Sequence, residues 1–173
     1  MTNTPDVPRR AGPRLDRIAI GVDFGEPSLA AAEWVSRELA PGAELVLVHA
    51  LDIAQAAPLG APPRKPSARV LDAAREFATE RLRQVGNTLG PGAVRVEVHE
   101  DRPAPAIAAV AEACGVDLIV VGTHGKRTVP WRGLGSTAER LIRMSPVPVL
   151  LVSGRPEGSP RRLLVPVDEV DLT

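Results

Sequence analysis

The chain is 173 residues long, the size of one domain, since domains usually run to roughly 100 to 200 residues, and its 44% hydrophobic and 24% charged content is that of a folded globular protein rather than a disordered one. Its 21 basic side chains balance 21 acidic ones, and two Trp, two Phe and no Tyr offer little to stack on bases, so a nucleic-acid partner is not expected. The single cysteine, Cys114, rules out a disulfide framework and a structural zinc set, and no uncharged apolar run approaches the ~20 residues that span a bilayer.

Residues 1–14 carry Pro and Arg without an apolar signal core and read as a flexible extension, so a cytoplasmic protein without a membrane segment is expected. Residues 17–23 are β-branched and small apolar residues ending in Asp23, the pattern of a strand buried on both faces. Pro27 suits the first turn of a helix, and Leu29, Ala32, Val35 and Leu39 continue at helical spacing until Pro41-Gly42 stops it. Residues 44–50 are a second aliphatic strand, and the Pro-rich stretch 54–66 reads as a mobile loop. Over 68–89, Val70, Leu71, Ala74, Phe77, Ala78, Leu82, Val85 and Leu89 are assigned to the sheet-covering side of an amphipathic helix. Strands at 94–99, 117–122 and 147–153 alternate with helices at 103–114, capped by Gly115, and 137–144.

This alternation predicts an α/β fold, a doubly wound five-stranded parallel sheet with right-handed crossovers and helices on both faces. The domain is expected over 15–153. Residues 154–173 read as a linker and a strand-like tail, because 162–168 repeat the hydrophobic pattern of 17–23. That tail is an extra edge strand, a remnant of a second repeat, or disordered; an unpaired aliphatic edge favours a homodimer through the last strands.

Open parallel sheets bind ligands beyond the carboxyl ends of their strands. Those ends hold Asp23, His49-Ala50 and the run Gly122-Thr123-His124-Gly125-Lys126-Arg127, with Gly135-Ser136-Thr137 opening the last helix. Glycines admit a bulky anion close to the backbone, and a helix N-terminus offers N–H groups and a positive dipole end, so the segment outlines a phosphate cradle. The G-x4-G-K-[S/T] phosphate loop is absent, His124 has no catalytic partner at a suitable spacing, and His49 and His99 define no ligand pair. No catalytic or metal-ligating residue is assigned. On the residues alone, Ser136 with Glu139 also fits a capping box, and Asp23 also fits a turn residue capping the next helix.

The spacing G-x2-G-x9-G-S, set by Gly122, Gly125, Gly135 and Ser136, resembles the ATP-binding signature of the universal stress protein family, as do Val22-Asp23-Phe24 and Val48-His49. The resemblance covers roughly residues 16–153 and implies an adenine nucleotide alpha hydrolase-like fold. It implies adenine and ribose near Gly21, Val22, Asp23 and Ala50, with Asp23 on the sugar. Phosphates would lie over 125–128 and 135–137, within reach of Gly122, Thr123, His124, Gly125, Lys126, Arg127, Thr128, Gly135, Ser136, Thr137 and Ala138. The implied ligand is ATP, ADP or AMP, with or without Mg, and the implied role is a regulatory nucleotide-binding module with little or no hydrolysis, not an enzyme. A nucleotide-free dimeric scaffold and a slow ATPase stay open, the latter without the S-G-G-x-D-S loop or H-x-G-H motif of nucleotide-transferring relatives. Two departures stand out: Gly25 occupies a position where many relatives carry Ser, and Pro130, Trp131 and Arg132 lie within the nine-residue segment.

Overall fold

In a computed structural model that describes residues 14–52, 66–123 and 135–160, the strand β1, Arg17–Gly21, sits at the centre of the sheet. Ile18 and Ile20 face one layer of helices and Ala19 the other, all fully buried, which is why the run carries no alternating polar residue. The chain continues through α1 (Glu26–Trp34), β2 (Glu44–Ala50), α2 (Ala68–Thr88), β3 (Val94–His99), α3 (Pro103–Cys114), β4 (Leu118–Gly122), α4 (Ser136–Met144) and β5 (Val149–Val152). All pairings are parallel and the order is β3-β2-β1-β4-β5. The first two crossovers, α1 and α2, cover one face, where Ala31, Ala32, Trp34 and Leu82 pack on Ile18, Ile20, Leu45 and Leu47. After β3 the chain returns through α3 to the other side of β1, and α3 and α4 cover the opposite face with Ala104, Ile107, Ala111 and Leu141.

Local chemistry accounts for the boundaries. Pro27 lies in the first turn of α1, where its missing N–H is harmless. That helix ends in a wider π-helical turn, Val35–Leu39, before Pro41. Gly115 caps α3 at φ 58°, as a left-handed C-terminal residue should. Three expected strands prove shorter. The first ends at Gly21 because Phe24 turns the chain away at φ 60°. The fourth begins at Leu118 because Asp117 serves as a clasp, its Oδ2 accepting the Asp16 and Arg17 amides, both at 2.9 Å. The fifth begins at Val149, since Pro148 has no N–H for the ladder.

The expected apolar face of α2 needs a larger correction. Ala78, Leu82, Val85 and Leu89 turn to the sheet, but Val70 and Phe77 are 57% and 68% exposed. Seven residues apart, these two share one line of the helix, and at 3.6 residues per turn Phe77 lies about 140° round from Leu82.

The segment 154–160, expected as a flexible linker, runs back along α1. Arg155 pairs with Glu26 at 3.4 Å, the Trp34 indole N–H donates to the Gly158 carbonyl at 2.9 Å, and the Ser159 hydroxyl donates to the Glu38 carbonyl at 2.6 Å. Gly154 and Gly158 take the positive φ angles, 66° and 67°, that this path requires. The tail 161–173, the extension 1–13 and most of the Pro-rich stretch lie outside the described residues.

The indole bond predicts that Trp34→Phe, which keeps the ring in the core and removes the donor, lowers the unfolding free energy by about 1 kcal/mol. Chemical denaturation checks the loss, and a glutamate-specific protease should cut faster at Glu157. Unchanged stability with unchanged cleavage would show that the segment is not held there.

Candidate functional site

The strand order reverses between β1 and β4, since one set of crossovers leaves β1 toward β3 and the other returns toward β5. Their carboxyl ends therefore open a crevice that no crossover helix spans. The register Ile18↔Leu118 to Ile20↔Val120, carried forward, brings Val22 beside Gly122 and Asp23 beside Thr123. On the other side Gly21 pairs with Val48, and the Val22 amide donates to the Val48 carbonyl at 2.8 Å.

Asp23 is built into a turn. Its Oδ1 accepts from the Gly25 amide at 2.8 Å and from the Ser28 hydroxyl at 2.7 Å, and the same hydroxyl contacts the Gly25 carbonyl at 3.0 Å. The hydroxyl beside Asp23 thus comes from buried Ser28, one turn into α1, while Gly25 is the helix N-cap. Asp23 is a turn residue, as one reading of the sequence held, but it does not cap α1 as that reading also expected, since Gly25 is the N-cap; it stands at the carboxyl end of β1.

Across the crevice, Thr123 follows the last residue of β4, Gly122. Its amide donates to the Val152 carbonyl at 2.9 Å, and its carbonyl accepts from the Gly135 amide at 3.0 Å. Gly135 is the N-cap of α4, and the first bond within that helix is Glu139 N–H to Gly135 carbonyl, 3.0 Å. The first-turn amides of Ser136, Thr137 and Ala138 therefore have no intrahelical acceptor and stand at the positive end of the helix dipole. Because Gly135 is the N-cap and Ser136 the first helical residue, the capping-box reading of Ser136 with Glu139 fails. Ala138 is buried beneath the turn and Ser136 is exposed.

The remaining expected residues divide. Gly122 and Thr123 lie at the crevice, and Ala50 ends β2 paired with His99. Val22 puts its side chain into the core on the α1 and α2 side. A Cβ on Gly21 would sit 2.7 Å from Ile107 Cδ1 and 2.9 Å from Val121 Cγ1, so a larger residue there would force these side chains to shift. His124, Gly125, Lys126, Arg127 and Thr128 lie outside the described residues. Four side chains gather at the Asp23 turn, of which sequence reasoning named Phe24 and His49 only as strand-end residues and passed over Ser28 and Arg81. The His49 ring lies 4.6 Å from that of Phe24, and its Nδ1 is 2.7 Å from the Val22 carbonyl; because a carbonyl only accepts, Nδ1 carries the proton. The D-x-G-x-x-S spacing from Asp23 was the one signal for Ser28.

Residues 14–153 match the model of the universal stress protein family. The chain is 31% identical over 141 residues to the universal stress protein MJ0531 of Methanocaldococcus jannaschii, covering 79% of this chain and 81% of that protein. Among solved structures, the universal stress protein UspA from Lactobacillus plantarum matches with a TM-score of 0.59 at 23% identity, over 80% of this chain and 98% of its own. A universal stress protein in complex with cAMP matches with a TM-score of 0.53 at 24% identity, over 81% and 98%. At these identities the two structures bear on the fold, the same five-stranded parallel α/β architecture.

The packing at Gly21 predicts that Gly21→Ala costs about 1–3 kcal/mol through overpacking, read as a lower thermal midpoint. Adding Ile107→Val, which deletes the nearest methyl, should recover part of that loss. Purely additive losses in the double variant would show that this contact is not the cause.

Proposed function

Because the chain belongs to the universal stress protein family, we propose that it is a regulatory module that binds an adenine nucleotide, ATP first among them, with little or no hydrolysis. The observation that carries the reading is the Gly135 amide bonded to the Thr123 carbonyl. It sets the positive end of α4 against the end of β4, beside the Asp23 turn that ends β1. The two sides of the crevice differ in chemistry. An ionised Asp23 only accepts hydrogen bonds, so it suits ribose hydroxyls and repels phosphates, whereas the α4 amides suit phosphate oxygens.

In this arrangement the base and sugar lie along Gly21, Val22, Asp23 and Ala50, and the phosphates lie over Ser136, Thr137 and the run from Gly125 to Thr128. Lys126 or Arg127 supplies positive charge, and Mg accompanies the phosphates where the nucleotide brings it. The related structure in complex with cAMP supports an adenine nucleotide as the class of ligand. The G-x2-G-x9-G-S spacing supports ATP within that class. The module acts in the cytoplasm; among the described residues no helix is long and apolar enough to cross a membrane. It pairs with a second copy through its last strands, for which β5, an edge strand among the described residues, and the exposed Ile142 and Met144 of α4 provide the surface.

Calorimetric titration tests the central part. ATP should bind with a Kd on the order of 1–10 μM, about −7 to −8 kcal/mol, and phosphate release should stay at background. Gly135→Val should weaken binding at least ~10-fold while the domain stays folded, because φ −62° and ψ 149° at this position suit any L-residue. No heat with ATP, ADP, AMP or cAMP would remove the nucleotide reading, and phosphate release abolished by an Asp23 substitution would make the protein an ATPase.

A further inference from the structure

Phe24 is the one non-glycine residue with positive φ among the described residues, at 60°. The turn around it gives that angle a purpose. Asp23 Oδ1 accepts the Gly25 amide two residues on, so Phe24 is the central residue of an Asx turn. Glycine or asparagine takes such a position easily, and a bulky aromatic residue does not. A strained angle of this kind persists only where the surroundings over-determine it.

The ring supplies those surroundings. The His49 imidazole lies against it at 4.6 Å between centroids and 43° between planes, and the Arg81 guanidinium carbon stands 4.6 Å over its centre, in cation–π range. His49 is itself fixed by its Nδ1 bond to the Val22 carbonyl, one residue before Asp23. Arg81 projects from α2, immediately before buried Leu82. Three elements, the end of β1, the end of β2 and the outer side of α2, therefore meet on one ring, and that ring belongs to the turn carrying the candidate ribose ligand.

We propose that Phe24 is a positioning residue for the nucleotide: its ring, held by contacts with His49 and Arg81, keeps the Asx turn in its left-handed form and so keeps the Asp23 carboxylate aimed at the sugar. This rests on the nucleotide reading for the identity of the ligand, but not for the state of the turn. Arg81 becomes the means by which α2, an element distant from Asp23 in the chain, sets the pose of that carboxylate.

The test compares Phe24→Ala with Phe24→Gly. Alanine keeps the Cβ that disfavours positive φ and loses the grip, so the turn relaxes and ATP affinity should fall about tenfold, the factor matching the ordinary cost of a left-handed L-residue. Glycine loses the same ring but takes the angle without that cost, and should recover most of the affinity. Arg81→Met should fall between Phe24→Ala and the unaltered chain. A second readout needs no ligand: hydrogen exchange of the Gly25 amide, measured by NMR on the nucleotide-free protein, should speed up in Phe24→Ala and return toward its original rate in Phe24→Gly. If Phe24→Ala does not fold, Phe24→Leu replaces it, keeping bulk without an aromatic face. Equal losses in the alanine and glycine variants would overturn the proposal, because the ring would then act by direct contact or packing. So would unchanged affinity with unchanged Gly25 exchange in Phe24→Ala. Absence of nucleotide binding by the unaltered chain would count against the proposed ligand, and Gly25 exchange would still decide the role of the turn.

Discussion

The double pairing of β1 is the constraint on which the rest depends. This strand is hydrogen-bonded to β2 on one edge and to β4 on the other, and it is buried on both faces. Parallel neighbours require crossover connections, and crossovers of one hand that leave a strand in opposite directions must place their helices on opposite faces. With α1 and α2 on one face and α3 and α4 on the other, neither pair of helices covers the ends of β1 and β4. The crevice is a consequence of connectivity, before any side chain is chosen.

Side chains then divide the two poles of the sheet. At the amino ends Asp117 gathers the Asp16 and Arg17 amides, and Arg17 pairs with Glu44 at 2.7 Å and donates to the Cys114 carbonyl. These bonds tie β1, β2 and the start of β4 together with donors and acceptors matched inside the protein. At the carboxyl ends the polar groups are arranged differently. The Asp23 carboxylate is oriented by a turn on one side of the crevice, and the first turn of α4 presents amides on the other. An acceptor at the end of β1 and amide donors at the start of α4 suit a ligand carrying hydroxyl donors at one end and an anion at the other.

How much of this could be read in advance depended on whether the cause was local. The bounds of β2, β3 and α3 follow from aliphatic runs and from punctuation by Pro103 and Gly115, and the structure keeps them. The glycine spacing from Gly122 to Ser136 was legible as a motif, although only Gly122, Thr123 and the residues from Gly135 onward fall among the described part of it. Features with distant causes were not legible. Nothing near Phe24 in the chain announces a positive φ, because its supports come from His49 and Arg81. Trp34 gave no sign that its indole would bond Gly158, and helical periodicity alone assigned Val70 and Phe77 to a side of α2 that the sheet does not reach. Gly25 looked like the loss of a hydroxyl from the site, until folding brought Ser28 back beside Asp23.

Whether one ligand bridges the Asp23 turn and the α4 N-terminus can be read from a backbone amide NMR titration with ATP. A bridging ligand should shift both Asp23–Gly25 and Ser136–Ala138, saturating together, with Asp16, Glu44 and Asp117 at the other pole unmoved. Changes at only one of the two clusters, or centred on the amino-end pole, would contradict it.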